Sequence, residues 1–298
     1  KILLDKNKMD NLKKNLAYAK ENISSFEKIS VSSNEIYVFN FEDKKYILKI
    51  PLMIKNNLSP FWLMMKNIFL FTFEKQNLHL KNLYDVLKNN PHIKIVPFVA
   101  SDEYAMIYEF VEGTSWSEDE FPCGKNNAYM LGQYVGYNHQ VAHKNCGIIG
   151  IEDVEDFYSR VLLHAEECIN QFWNTDSSLD KKVRNYFKSL TENYFTSSKN
   201  SLIMVDICAD QFLFENETVT TCIDLDGYVI GPVEWELSFL KTQIKDWDSF
   251  KSGYETYQPM PEFEKYSQMF FFLMALNSYN NKQEMEGVFY GNGYERNE

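Results

Sequence analysis

The chain has 298 residues, 45% of them hydrophobic and 24% charged, with a formal net charge of −12. That length and apolar content supply one large or two modest packed domains and exclude a disordered or collagen-like chain. The acidic balance argues against a nucleic-acid binder, whose attraction to phosphate needs a basic patch. It suits a cationic small molecule, although solubility alone also accounts for it.

The five cysteines, Cys123, Cys146, Cys168, Cys208 and Cys222, are scattered and lack C-x-x-C spacing. Neither a zinc site nor a disulfide framework is expected. With no cleavable signal pattern at the start, a reducing cytoplasm is the expected compartment.

Residues Asp10 to Asn22 read as a helix, with a break at Ser24-Ser25. Ile36 to Phe41, the turn Glu42-Asp43-Lys44-Lys45, and Tyr46 to Ile50 read as a hairpin, with Lys49 at the end of its second strand. On an amphipathic strand a lone Lys usually faces solvent. The loop ahead, Ser32-Ser33-Asn34-Glu35, holds no glycine.

Pro60 to Phe73 is apolar apart from Lys66, Asn67 and Thr72. A membrane span needs about 20 apolar residues, so a buried helix is expected, with a lipid or partner surface as the sharper alternative. The next helix opens on Glu74 and carries Leu78, Leu80, Leu83 and Leu87 near helical spacing. An acid in a first turn also serves the helix dipole.

Tyr104 to Val111 reads as a strand, and Gly113 supports a break after it. Helices are predicted over Asn126–His143, Val154–Phe172 and Asp180–Phe195, and again beyond Trp247. His139 and His143 lack a third ligand at metal spacing, so His139 is read as a structural histidine. There is no internal repeat and no low-complexity tract.

The segment from Ser201 to Leu237 is the most informative. Asp206 and Asp224 each follow an apolar run short enough for a strand, and Gln211 lies five residues after Asp206. Each Asp taken alone is a common turn former. Together they offer a carboxylate that can hold a hydroxyl in line and accept its proton, plus hard oxygen donors for magnesium.

This spacing, with the following Ile230-Gly231-Pro232-Val233-Glu234-Trp235-Glu236-Leu237, resembles the catalytic segment of the aminoglycoside phosphotransferase and choline kinase family of protein-kinase-like phosphotransferases. The chain departs from the family pattern at two positions, with Met204 where His is usual and Gln211 where Asn is usual.

The resemblance implies an α+β, bilobal fold: a nucleotide-binding, strand-rich lobe over residues 1–110 and a mainly helical lobe over 111–298. It implies Asp206 as catalytic base, and Gln211 and Asp224 as ligands of Mg2+. It implies Lys49 on the α- and β-phosphates of ATP or GTP, and Glu74 as the acid that fixes Lys49. Backbone groups near Glu109 and Val111 would hold the purine edge, and His139 would pack under the catalytic loop. The glycine-poor loop points to the small-molecule branch of the family.

The implied activity is transfer of phosphate to a hydroxyl of a small, amine-bearing molecule, aminoglycoside-like or choline-like. Asp153, Glu155, Asp156, Glu262 and Glu264 are candidate attractors for a cationic acceptor, or solvated faces. A catalytically inactive module that binds a nucleotide or partner is the alternative. No nucleic-acid partner and no membrane span are expected.

Overall fold

The computed structural model describes residues 17–19, 21–31, 34–51, 59–102, 105–115, 121, 124–193 and 195–290. Of the predicted N-terminal helix, residues 17–19 and 21–22 are described and helical; the rest lies outside the described residues, as do Ser32 and Ser33.

The first strands are β1 (Glu27–Val31), β2 (Asn34–Phe41) and β3 (Lys44–Pro51). The expected hairpin forms between β2 and β3, with Phe41 opposite Lys44 and Ile36 opposite Lys49. Its two turn residues, Glu42 and Asp43, take φ of 47° and 63°, the left-handed pair that matches the twist of a tight hairpin. Alternation along β3 then decides the faces. Tyr46 and Leu48 pack with Phe39, Ile107 and Ala19 in a small cluster on one face, which leaves Lys49 on the other.

The apolar segment becomes helix α1 (Pro60–Phe69), capped by the Ser59 side chain and ended where Leu70 turns left-handed at φ 58°. It stops short of the predicted Phe73 for that reason. Trp62, Met64, Met65, Ile68 and Phe69 are all buried in the main core, so α1 is a core helix and presents no lipid surface. Helix α2 (Phe73–Leu87) follows. Then come β4 (Lys94–Ile95), β5 (Phe98–Ser101), β6 (Met106–Glu109) and β7 (Thr114–Ser115). The first sheet is antiparallel with the order β1-β2-β3-β6-β5.

Helix α3 (Gly124–Asn138) ends five residues before the predicted His143, which instead bridges to Asn200. Strands β8 (Cys146–Ile148) and β9 (Ile151–Val154) form a hairpin that the sequence reading missed. Helix α4 (Phe157–Phe172) starts three residues later than predicted, because the Asp156 side chain caps it by accepting from Ser159 N at 3.0 Å. Helix α5 (Ser178–Glu192) comes next.

Strands β10 (Asn200–Met204), β11 (Phe212–Glu215), β12 (Thr218–Cys222) and β13 (Tyr228–Pro232) complete two four-stranded sheets, ordered β10-β13-β8-β9 and β4-β12-β11-β7. The chain then runs through α6 (Val233–Gln243), α7 (Trp247–Tyr254), α8 (Glu264–Leu276) and α9 (Gln283–Tyr290).

Helices α3 and α7 cross at backbone contact. A β-carbon on Gly132 would lie 2.0 Å from Phe250 O, and one on Gly253 would lie 2.0 Å from Tyr129 O. Among the described residues no helix is long and apolar enough to cross a membrane. Cys146, Cys168, Cys208 and Cys222 are buried free thiols.

Candidate active site

The strand β10 ends on Met204, and the loop beyond it is pinned from four sides. Met204 N donates to Glu236 Oε1 at 2.9 Å. Val205 N donates to Gly227 O at 2.9 Å, and its carbonyl accepts from the Trp235 indole at 3.0 Å. The Gln243 side chain donates to Ile207 O at 2.9 Å. A loop whose amides and carbonyls are held by fixed side chains keeps its own side chains in place. Asp206 is the residue so presented, half-buried and against the backbone of Gly227.

Glu236 is buried and bonds His139 Nε2 at 2.7 Å with its second oxygen, while His139 Nδ1 meets the Tyr254 hydroxyl at 3.0 Å. His139 therefore packs beneath the loop, as read from the sequence. Met204, fully buried, fills the strand end with apolar volume.

Lys49 reaches the turn between β12 and β13. Its Nζ lies 2.9 Å from Asp224 Oδ1 and 2.7 Å from Asp226 Oδ2. The Lys49 side chain is 9% exposed, that of Asp226 6% and that of Asp224 43%. Burial opposes the charge on Lys49, but the two carboxylates outweigh it and hold its pKa above the ordinary lysine value. For Asp224 burial is again opposed, and Lys49 holds its carboxyl below the usual range. Asp226 is raised, by burial first and by the charge of Asp224. Asn34, at the start of β2, donates to Asp226 Oδ2 at 3.0 Å.

Two expected roles change. Glu74 is exposed in the first turn of α2, and the acids that meet Lys49 are Asp224 and Asp226. The buried face of α2 runs through Gln76, His79, Leu80, Leu83 and Leu87, and Glu74 stands off it. Gln211 is buried, but its amide folds back into its own loop. Its oxygen accepts from Cys208 N at 3.1 Å and its nitrogen donates to Asp206 O at 3.1 Å. The extra methylene of Gln over Asn lets the oxygen reach that amide, so Gln211 braces the loop and does not turn its oxygen to Asp224.

Asp226 is the residue that sequence reading missed. Its signal was present in Asp224-Leu225-Asp226, two acids on either side of one apolar residue. One oxygen of Asp226, Oδ1, is buried without a hydrogen-bond partner among the described residues. An orphaned carboxylate oxygen beside a second carboxylate fits a hard divalent cation. Among the described residues no group of three His, Cys, Asp or Glu ligands occurs; magnesium held by two carboxylates and nucleotide phosphates requires none.

At the end of β6, Glu109 N donates to Pro97 O at 2.9 Å and Phe110 N to Lys45 O at 3.0 Å. Val111 follows immediately, partly buried against the main core. Asp153, Glu155, Asp156, Glu262 and Glu264 are exposed, and Asp156 is committed to its helix cap.

No family model and no curated protein matches the sequence. Solved structures do match in shape. A macrolide 2′-phosphotransferase from Brachybacterium faecium aligns with a TM-score of 0.56 at 12% identity, over 94% of this chain and 97% of that one. The phosphotransferase APH(2″)-IIa, solved as a ternary complex with streptomycin and ATP, gives 0.56 at 13% identity, over 99% and 93%.

The fold is that of the protein-kinase-like phosphotransferases. A Thermobifida fusca protein assigned as a fructosamine-3-kinase shares this kinase-like fold, with a TM-score of 0.61 at 13% identity over 89% of this chain and 91% of that one. Identities this low carry the shared architecture alone.

Proposed function

We propose that this chain is a small-molecule kinase that moves the terminal phosphate of ATP or GTP to a hydroxyl group. The observation that supports it most is the meeting of Lys49 with Asp224 and Asp226, while Asp206 stands against Gly227 of the same turn. In this reading residues 1–110 bind the nucleotide and residues 111–298 carry the catalytic loop and acceptor site. The free buried thiols agree with a reducing cytoplasm as its compartment.

Asp206 would hold the acceptor hydroxyl in line and take its proton as the new bond forms. Lys49 would leave its carboxylate partners for the phosphate oxygens, and Glu109 and Val111 would offer backbone groups to the purine. Asp224 and Asp226 would hold magnesium, which when bound supplies positive charge to the phosphates. Gln211, from within the loop, would fix the backbone of Asp206 rather than ligate.

A second reading, a kinase-like module that binds nucleotide without turnover, is favoured by the one observation that the Gln211 amide is turned inward. The test is a panel of hydroxyl compounds incubated with magnesium and ATP or GTP, following nucleoside diphosphate release. Release that depends on an acceptor supports the kinase. Tight nucleotide binding with no release for any acceptor supports the module.

A further inference from the structure

Beside Asp206 lies a cavity of about 350 Å³, walled by the start of α1 and the end of α8. We infer that it takes a sugar-sized acceptor, a single hydroxyl-bearing ring with at most one positive charge, in preference to a polycationic or macrocyclic one. This inference rests on the phosphotransferase reading, since the cavity gains its meaning from Asp206.

Size and charge both lead there. Ligand pockets span about 300–1,000 Å³, and this one lies at the small end. Asp206 is the one carboxylate in its wall among the described residues. Glu284, behind the wall, accepts from the Ser278 hydroxyl. Each ammonium taken out of water needs a carboxylate or dipole to replace its hydration, and a polycation would find too few. The exposed acids Asp153, Glu155, Asp156, Glu262 and Glu264 are not part of this wall.

The remaining wall has the chemistry of sugar recognition. Phe61 offers an aromatic face, partly buried and set edge-on to Trp62 at 5.2 Å between ring centroids, on which the C–H face of a ring can lie. Met274 adds a second apolar surface. Asn277 and Ser278 follow the last turn of α8 and line the cavity; the Asn277 amide donates to Met64 Sδ and the Ser278 hydroxyl to Glu284, so Ser278 keeps a lone pair for a ring hydroxyl and Asn277 would have to turn to meet one. Asp206 would then face the hydroxyl that is phosphorylated.

The experiment is titration calorimetry on the full chain loaded with magnesium and a non-hydrolysable ATP analogue, with inositol, glucosamine and gentamicin as probes. At least one single-ring probe should bind, and gentamicin should bind more weakly. Phe61→Ala should weaken the single-ring probe about tenfold while nucleotide affinity stays within twofold. Because Phe61 also packs on the core, a second variant serves as control. Asn277→Asp places a second carboxylate in the lining of the cavity and should raise the preference for glucosamine over inositol about tenfold. Tighter binding of gentamicin, no binding by any single-ring probe, or no response to either variant overturns the inference. Failure to bind the nucleotide analogue overturns the phosphotransferase reading instead, and it is read separately in the loading step.

Discussion

Asp206 rests on Gly227: a β-carbon added to Gly227 would come within 2.0 Å of Asp206 Oδ1. The proposed catalytic carboxylate and the turn that carries Asp224 and Asp226 are therefore spaced by a missing side chain. Gly227→Ala must push Asp206 aside or open the Val205–Gly227 hydrogen bond. Displacement of an ångström-sized step at a reacting group costs about 10²-fold, so turnover should fall by about that factor. Steady-state assays with the best acceptor check it, and a variant with unchanged turnover would show that Asp206 is not constrained there.

Asp206→Asn keeps the size of the side chain and removes its basicity. Turnover should drop by about 10²–10⁴-fold, with nucleotide affinity unchanged. A fall in both would report misfolding, because loss of a base acts on the transition state alone. Equal rates for the two proteins would exclude Asp206 as the base.

Asp226→Asn and Gln211→Ala separate the two candidates for magnesium binding. The first removes charge from the buried pair and should weaken magnesium-dependent nucleotide binding at least about tenfold, in the range seen when groups supporting a metal are lost. The second should lower turnover by loosening the loop while leaving the magnesium dependence of binding in place. Titration of nucleotide at several magnesium concentrations distinguishes them, and the reverse pattern would restore Gln211 as a ligand. Glu74→Ala, an exposed change, should alter nucleotide affinity by no more than about twofold.

Acid should destabilise the fold through two buried histidines, His79 and His164. Burial pushes the pKa of His79 and of His164 down to about 4, against about 6.5 in an unfolded chain. Between those values the unfolded chain binds protons that the folded one refuses, so stability falls as pH drops from about 6.5 to about 4, then stops responding to these groups. Each contributes about 3 kcal/mol across that window. Denaturant melts from pH 7.5 to 4.5 should show the slope, and His164→Gln should reduce it by about half. A flat profile would mean that the rings are protonated in the fold.

Much of the site was legible because chemistry fixed its spacing. Lys49, Asp206 and Asp224 stand out by their place after apolar runs, and the hairpin by its turn. Glu74 was misread because the first acid of a helix draws attention, whereas the buried stripe Gln76, His79, Leu80, Leu83, Leu87 shows which way α2 faces. Asp226 was passed over because one Asp in a turn satisfied the pattern. The direction of the Gln211 amide depends on a three-dimensional choice between the metal side and the Cys208 N–H, and no spacing encodes it. The β8–β9 hairpin was hidden because both strands are short, Ile151-Glu152-Asp153-Val154 mixes in acids, and the further partner of β8, strand β13, lies far along the chain.

The backbone contact between α3 and α7 reaches further than its position suggests. Just past one helix comes His139, and the other ends on Tyr254; the two meet each other, and His139 holds Glu236, which holds the Met204 amide. A bulky residue at Gly132 or Gly253 would force the helices apart and hand the displacement, bond by bond, to Asp206. In a library scored only for turnover, these glycines would masquerade as catalytic positions. Melting temperatures recorded on the same variants would unmask them, since a wedge between helices takes stability away with activity and a lost base takes activity alone.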